Sequence, residues 1–240
     1  MDRLKEEARY VLQCASVIGR LFRYRLLDHL TAYENKLDSY LNDFEERDLV
    51  YEERAVPELE YAFKHAFTQE ATYQGILERS RRAFHHQVAL GIERLYQERL
   101  EDYYDELAHH YSRSDDPEKA IEYLLKAGEK AKRNYANDTA ISYYQSVLDM
   151  LEKYNMTRDD WKLEALKSIG ELYIGIGKIA EAVQILEKAV ALAEEMKIPA
   201  RQLVRLYDWM GEGFWWVILD TVADPCSKCY GGIRNTGCRS

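Results

Sequence analysis

Four short patterns in the sequence hold residues able to do chemistry, and each is weighed by what its chemistry requires. Gly175-Ile176-Gly177-Lys178 has the glycines and lysine of a phosphate cradle. A P-loop, however, needs the full G-x-x-x-x-G-K-[ST] spacing, a strand before it and a hydroxyl after the lysine. Ile179 follows the lysine here, so the segment reads as the turn between two helices. Cys226-x-x-Cys229 with Cys238 supplies three thiolates, whereas a structural zinc site takes four ligands. Zinc binding and redox chemistry stay open there beside an incidental tail. His109 and His110 are adjacent on a helix and directed about 100° apart, which denies them the shared metal that histidines four residues apart can hold. Arg79, Arg81 and Arg82, with His85 and His86, form the one compact basic cluster. It suits a phosphate or an acidic partner, and its bland reading is a solvated helix face. No pair of aspartates flanks a predicted hairpin in the way two-metal phosphoryl chemistry requires. The expectation is a chain with no catalytic residue, no metal and no cofactor.

The elements that must position these residues are mostly helical. Charges interleave with Leu, Ala, Ile and Tyr at three- and four-residue spacing, and only 4 Pro and 12 Gly interrupt the 240 residues. Leu4, Ala8, Val11, Leu12, Ala15 and Ile18 mark one face of a first helix that also carries Cys14, and Gly19 stands where glycine ends helices. Short helices follow near Tyr24 to Leu30 and Lys36 to Glu46. Leu49, Val50, Tyr51 and then Leu59, Tyr61, Phe63 alternate on either side of Pro57, which predicts a β-hairpin. Three helices and a small hairpin predict a winged-helix-like domain. Helical periodicity resumes from His65 to Leu77 and from Arg81 to Leu100, completing a first domain over residues 1–100.

From Asp102 onward the chain repeats itself. Tyr104, Leu107, Ala108, Tyr111, Ala120, Leu124 and Ala127 return 62 residues later as Leu166, Ile169, Gly170, Tyr173, Ala182, Leu186 and Ala189. A further offset of 41 brings Leu166, Ile169, Gly170 and Tyr173 onto Tyr207, Met210, Gly211 and Phe214. Small residues at Ala108, Gly170, Ala120 and Ala182 allow two antiparallel helices to approach closely. The pattern is that of tetratricopeptide-like helical hairpins, predicted over residues 101–220, with an irregular Cys- and Gly-containing tail at 221–240. The helix from Asp138 to Lys153 is expected to pair with that from Pro117 to Arg133.

The stretch PELEYAFKHAFTQEATYQGIL from Pro57, followed by ELAHHYSRSDDPEKAIEYLLKAGEKAKRNYANDTAISYYQ from Glu106, resembles the STAND-type ATPases fused to adenylate or guanylate cyclases. In that family a cyclase and a P-loop ATPase precede the winged helix and tetratricopeptide repeats, and the likeness here covers only the last two. The resemblance implies that His65 is a nucleotide-sensing residue, its ligand being held by an ATPase domain this chain lacks. The usual repeat-ending proline is missing, and the repeat length departs from the usual value of about 34 residues.

A net charge of −9 opposes a phosphate backbone at long range. From Glu34 to Glu53 eight acidic residues face two basic ones, which disfavours the third helix as a DNA reader. Residues 1–30 lack the apolar core of a signal peptide, and no stretch approaches the ~18 apolar residues of a membrane span, so the expected location is cytoplasmic. The leading functional expectation is a non-catalytic protein-interaction module. Its candidate contacts are Tyr103, Tyr123 and Tyr143, with Phe214, Trp215 and Trp216 for self-association through a half-formed last repeat. A DNA-binding regulator and an accessory fragment of a nucleotide cyclase are the alternatives.

Overall fold

The computed structural model describes residues 5–31, 36–199, 207–209 and 211. They are mostly α-helical, with one small antiparallel sheet followed by consecutive helical hairpins of tetratricopeptide-like type. The chain divides into two compact units, Met1–Lys126 and Ala127–Ser240.

The first unit opens with α1 (Glu6–Ile18), β1 (Leu21–Arg23), α2 (Tyr24–Thr31), α3 (Leu37–Glu46), β2 (Val50–Arg54) and β3 (Glu60–Phe63). Three helices and a hairpin follow in the order expected from the sequence, with one addition. β1 pairs antiparallel with β3, so the hairpin strand β3 lies at the centre of a β1-β3-β2 sheet. Gly19 ends α1 with φ 147°, a conformation open to glycine and costly for other residues. The three helices and the sheet enclose one core. Val11, Leu12 and Ala15 of α1 meet Leu37, Leu41 and Phe44 of α3 there, beneath Phe22 and Phe63 of the sheet. Cys14 belongs to the same core.

The expected helix from His65 to Leu77 is shorter, α4 (Ala66–Gln74), and the next is α5 (Glu78–Leu95). A 3-10 segment, Gln97–Tyr103, kinked at Arg99, leads into α6 (Tyr104–Ser112). α5 therefore ends five residues before the expected Leu100. Arg23 of β1 binds Glu106 of α6 through two hydrogen bonds of 2.7 and 3.0 Å and lies 4.7 Å over the Tyr103 ring. That contact ties the sheet to α6.

α7 (Pro117–Arg133) begins in the first unit and ends in the second. α8 (Asn137–Lys153), α9 (Asp159–Gly175) and α10 (Ile179–Glu195) follow as an antiparallel series. Pairing of the end of α7 with α8 is visible at Gly128, where an added Cβ would lie 2.9 Å from the Tyr144 ring. Between α9 and α10 the close approach is at Gly170, whose added Cβ would fall 2.5 Å from Leu186 Cδ2. Leu166, Leu186, Ala189, Val190 and Ala193 form the core of that pair. Tyr173 is only half-buried, unlike its repeat counterpart Tyr111.

The four helix ends of this series are built alike. Tyr135, Asn155, Gly177 and Lys197 each adopt positive φ, from 49° to 78°. The N–H of the following residue then bonds back five residues: Ala136 to Ala131, Met156 to Leu151, Lys178 to Tyr173 and Ile198 to Ala193. This is the Schellman closure, which satisfies terminal carbonyls from the main chain alone. Among the described residues, no helix is long and apolar enough to cross a membrane.

Candidate functional site

α5 and α6 carry a cluster of three histidines. α5 buries Val88, Ala89 and Ile92, and His85, three residues before Val88, falls on that same face. α6 buries Leu107, Ala108 and Tyr111, and His110, three residues after Leu107, again points inward. Both histidines are only 2% exposed. His109 is turned to the rim and is exposed. One ring nitrogen of each of the three lies within 4.8 Å of the others. His85 of α5 joins the adjacent pair on α6, its ring 5.1 Å from that of His110 and 6.0 Å from that of His109.

The contacts within the cluster are specific. His85 Nδ1 and His110 Nδ1 are 2.9 Å apart and share one proton, and His85 Nε2 lies 2.9 Å from Tyr73 Oη at the end of α4. Arg113 Nη1 donates to His109 Nδ1 at 3.2 Å. Burial, then the charges of His109, Arg113 and Arg81, pushes the His85 pKa down to about 3. His110 is driven well below its ordinary value, by burial first and then by the neighbouring histidines and Arg113. His109 is lowered too, by desolvation and Arg113 against the opposing charge of Glu106. Neutral imidazoles with available lone pairs result, a state suited to binding an electrophile and unsuited to carrying charge.

The basic residues singled out in the sequence all lie on α5, most of them with partners of their own. Arg79 is exposed on α5. Arg81 lies 5.1 Å over the Tyr73 ring and donates to Gln74. Arg82 is paired with Glu78 and with Asp115 at 3.2 Å, and His86 faces Asp116 at 3.9 Å. Arg82 and His86 thus have acids beside them. A separate cavity of about 470 Å³ is lined by Arg23, Arg25, Arg54 and Arg99 above Tyr96 and Tyr103, with Glu58 and Glu60 offsetting part of its charge.

The remaining sequence candidates take different positions. His65 is exposed at the N-terminal cap of α4, and its side chain makes no capping hydrogen bond. Tyr103 is buried and stacks on Tyr96 with centroids 4.3 Å apart. Tyr123 is also buried, stacked parallel to Tyr111 at 5.4 Å with its hydroxyl on Glu93. Both rings are used in internal packing. Tyr143 is half-buried on α8. Phe214, Trp215, Trp216 and the three tail cysteines lie outside the described residues. Gly175 to Lys178 forms the α9–α10 reversal, with α9 rather than a strand before it.

Exposed aromatics outside the sequence candidates include Tyr135 and Phe67. Tyr135, 88% exposed, holds φ 58° at the α7–α8 turn, and Phe67, 82% exposed, stands near the start of α4. Periodicity gives no signal for either, since one lies in a turn and the other on a helix that buries only Thr72.

A tetratricopeptide-repeat family model matches residues 136–195, the span of α8 to α10. Among solved structures, the crystal structure of BtubC (BKLC) from P. vanneervenii is 14% identical, with a TM-score of 0.37 over 99% of this chain and 97% of that one. No curated protein matches the chain.

Proposed function

We propose that this chain is a protein-interaction module without catalytic groups of its own, corresponding to the winged-helix and repeat region of a cyclase-associated STAND ATPase. The observation that supports it most is the run of hairpins α8 to α10, which the tetratricopeptide-repeat model matches over 136–195. Stacked helical hairpins present side chains along a continuous surface, and aromatic anchors on such surfaces concentrate binding energy. Tyr135 fits that role: it is 88% exposed, and its left-handed backbone costs about 1–2 kcal/mol for a non-glycine residue with no burial in return. Tyr143 on α8 is the second contact in this reading. His65, exposed at the start of α4, suits a residue that meets a nucleotide only when an ATPase domain brings it. Contact between two copies through Phe214, Trp215 and Trp216 belongs to the same proposal, as does a cytoplasmic location.

The test is a photo-crosslinking residue at position 135 in the full chain, exposed to a cell extract. The expected result is one discrete crosslinked protein, competed by unlabelled chain. Tyr135→Ala in the unlabelled competitor should weaken competition by about tenfold, the loss of a typical interface anchor. A crosslinked second copy of the chain would assign the contact to self-association. Absence of any discrete product would remove the proposal.

A further inference from the structure

We infer that His85, His109 and His110 form a binding site for a divalent first-row transition ion of the zinc class. Imidazole nitrogens suit Zn²⁺, Co²⁺, Ni²⁺ and Cu²⁺, whereas Mg²⁺ and Ca²⁺ require oxygen ligands that this cluster does not offer. Three histidine ligands with a fourth position left for water is an established pattern for zinc.

Half of the site is already assembled. His85 Nδ1 and His110 Nδ1 stand 2.9 Å apart in the α5–α6 interface. Tetrahedral zinc with metal–nitrogen bonds of about 2.0–2.1 Å needs its ligand nitrogens about 3.3 Å apart, so the pair has only to open by a few tenths of an ångström. On binding, the proton between the two Nδ1 atoms shifts to the Nε2 of the ring that carried it, so that both rings stay neutral and both Nδ1 lone pairs face the ion. The third ligand must move further, since the three nitrogens span up to 4.8 Å. That movement falls to His109, the one exposed member, which can turn inward by side-chain rotation. The fourth position then faces the rim, where water has access.

A supporting group is also in place. Tyr73 Oη at 2.9 Å from His85 Nε2 fixes that ring and leaves Nδ1 as the nitrogen facing the pair, as outer hydrogen bonds to metal-binding histidines do. Packing alone is a poor reason for two buried imidazoles, because apolar side chains fill such space without the cost of desolvating a ring nitrogen. The counterforce is Arg113, which donates to His109 Nδ1 at 3.2 Å. A ligating His109 loses that bond, so Arg113 competes with the metal and adds a repulsive charge.

The experiment uses the full chain with Cys226, Cys229 and Cys238 changed to Ser, which removes the tail thiolates as rival ligands. Co²⁺ is titrated in and followed by its visible ligand-field absorption, and Zn²⁺ is used to displace it. One equivalent should bind saturably. His109→Gln and His85→Gln should each weaken binding by more than about tenfold, and Tyr73→Phe by about tenfold or more. Arg113→Gln should tighten it, an effect that a purely structural role for the histidines would not produce, while His86→Gln should change nothing. Should His85→Gln fail to fold, the exposed His109→Gln decides alone. No saturable spectrum, or unchanged affinity in His109→Gln, overturns the site.

Discussion

Cys14 shows how a single side chain takes its chemistry from its surroundings. Burial among Leu12, Ala15 and the rest of the first core pushes its thiol from an ordinary value of 9.0 up to about 12. An unfolded chain gives up this proton near pH 9, while the folded chain holds it. The associated stability is therefore complete below pH 9 and falls as pH rises towards 12, by about 1.4 kcal/mol for each unit in that window. Burial holds Tyr111 and Tyr123 protonated in the same sense, with Glu93 adding to it. Urea midpoints at pH 8 and pH 10.5 should show the decline, and Cys14→Ala should flatten it. Parallel losses in both proteins would mean that the thiol is not held neutral by burial. At this scale the sequence was legible where a stripe was complete: Cys14 lies on the α1 face that Val11, Leu12 and Ala15 define. His85 was less so. Arg79, Arg81 and Arg82 suggested a charged surface around it, yet its three-residue spacing from Val88 turns it into the core.

Single helices and strands separate into those with a long periodic signal and those without. α1, α3 and the hairpin strands β2 and β3 were readable because each carries several apolar residues at one spacing. β1 was not, since Leu21, Phe22 and Arg23 are too few to show alternation and their partner β3 lies about forty residues away in sequence. The helix pair α9–α10 offers a direct test of the repeat signature. Gly170 occupies the position held by Ala108 in the preceding repeat, and an added methyl group there would lie 2.5 and 2.6 Å from Leu186 Cδ2 and Cγ. Gly170→Ala should destabilise the chain by about 1–3 kcal/mol through overpacking, less the roughly 1 kcal/mol that alanine gains over glycine within a helix. Urea denaturation measures the balance. A variant more stable than the parent would show that Leu186 yields freely and that the close approach is not needed.

At the scale of the whole chain, charge decides between partners. A net charge of −9 is reinforced locally on α3, where Asp38 is exposed and Arg47 is already paired with Asp43 at 2.8 Å. A duplex brought to this helix meets carboxylates, and no counterion release is available to offset the repulsion. The expected outcome of a gel-shift series with duplex DNA from 50 to 200 mM salt is no shift at any concentration; a shift that weakens steeply with salt would revive the DNA-binding reading. The overall plan, a small mixed unit followed by hairpins, was visible because the repeat imposes the same small and aromatic residues at one offset. Hidden from the sequence was the assembly of His85 with His109 and His110, since a site built from two helices has no linear signature.

The shared closure of α7, α8, α9 and α10 bears on how such a chain can change. Each reversal is made by main-chain groups, and the residue at its left-handed position is in turn Tyr135, Asn155, Gly177 and Lys197. An aromatic, an amide, a bare backbone and a cation occupy equivalent corners without altering the path of the chain. The corners are thus a row of positions whose chemistry can be rewritten one at a time while the helices behind them stay as they are, and recognition can diversify there without renegotiating the fold.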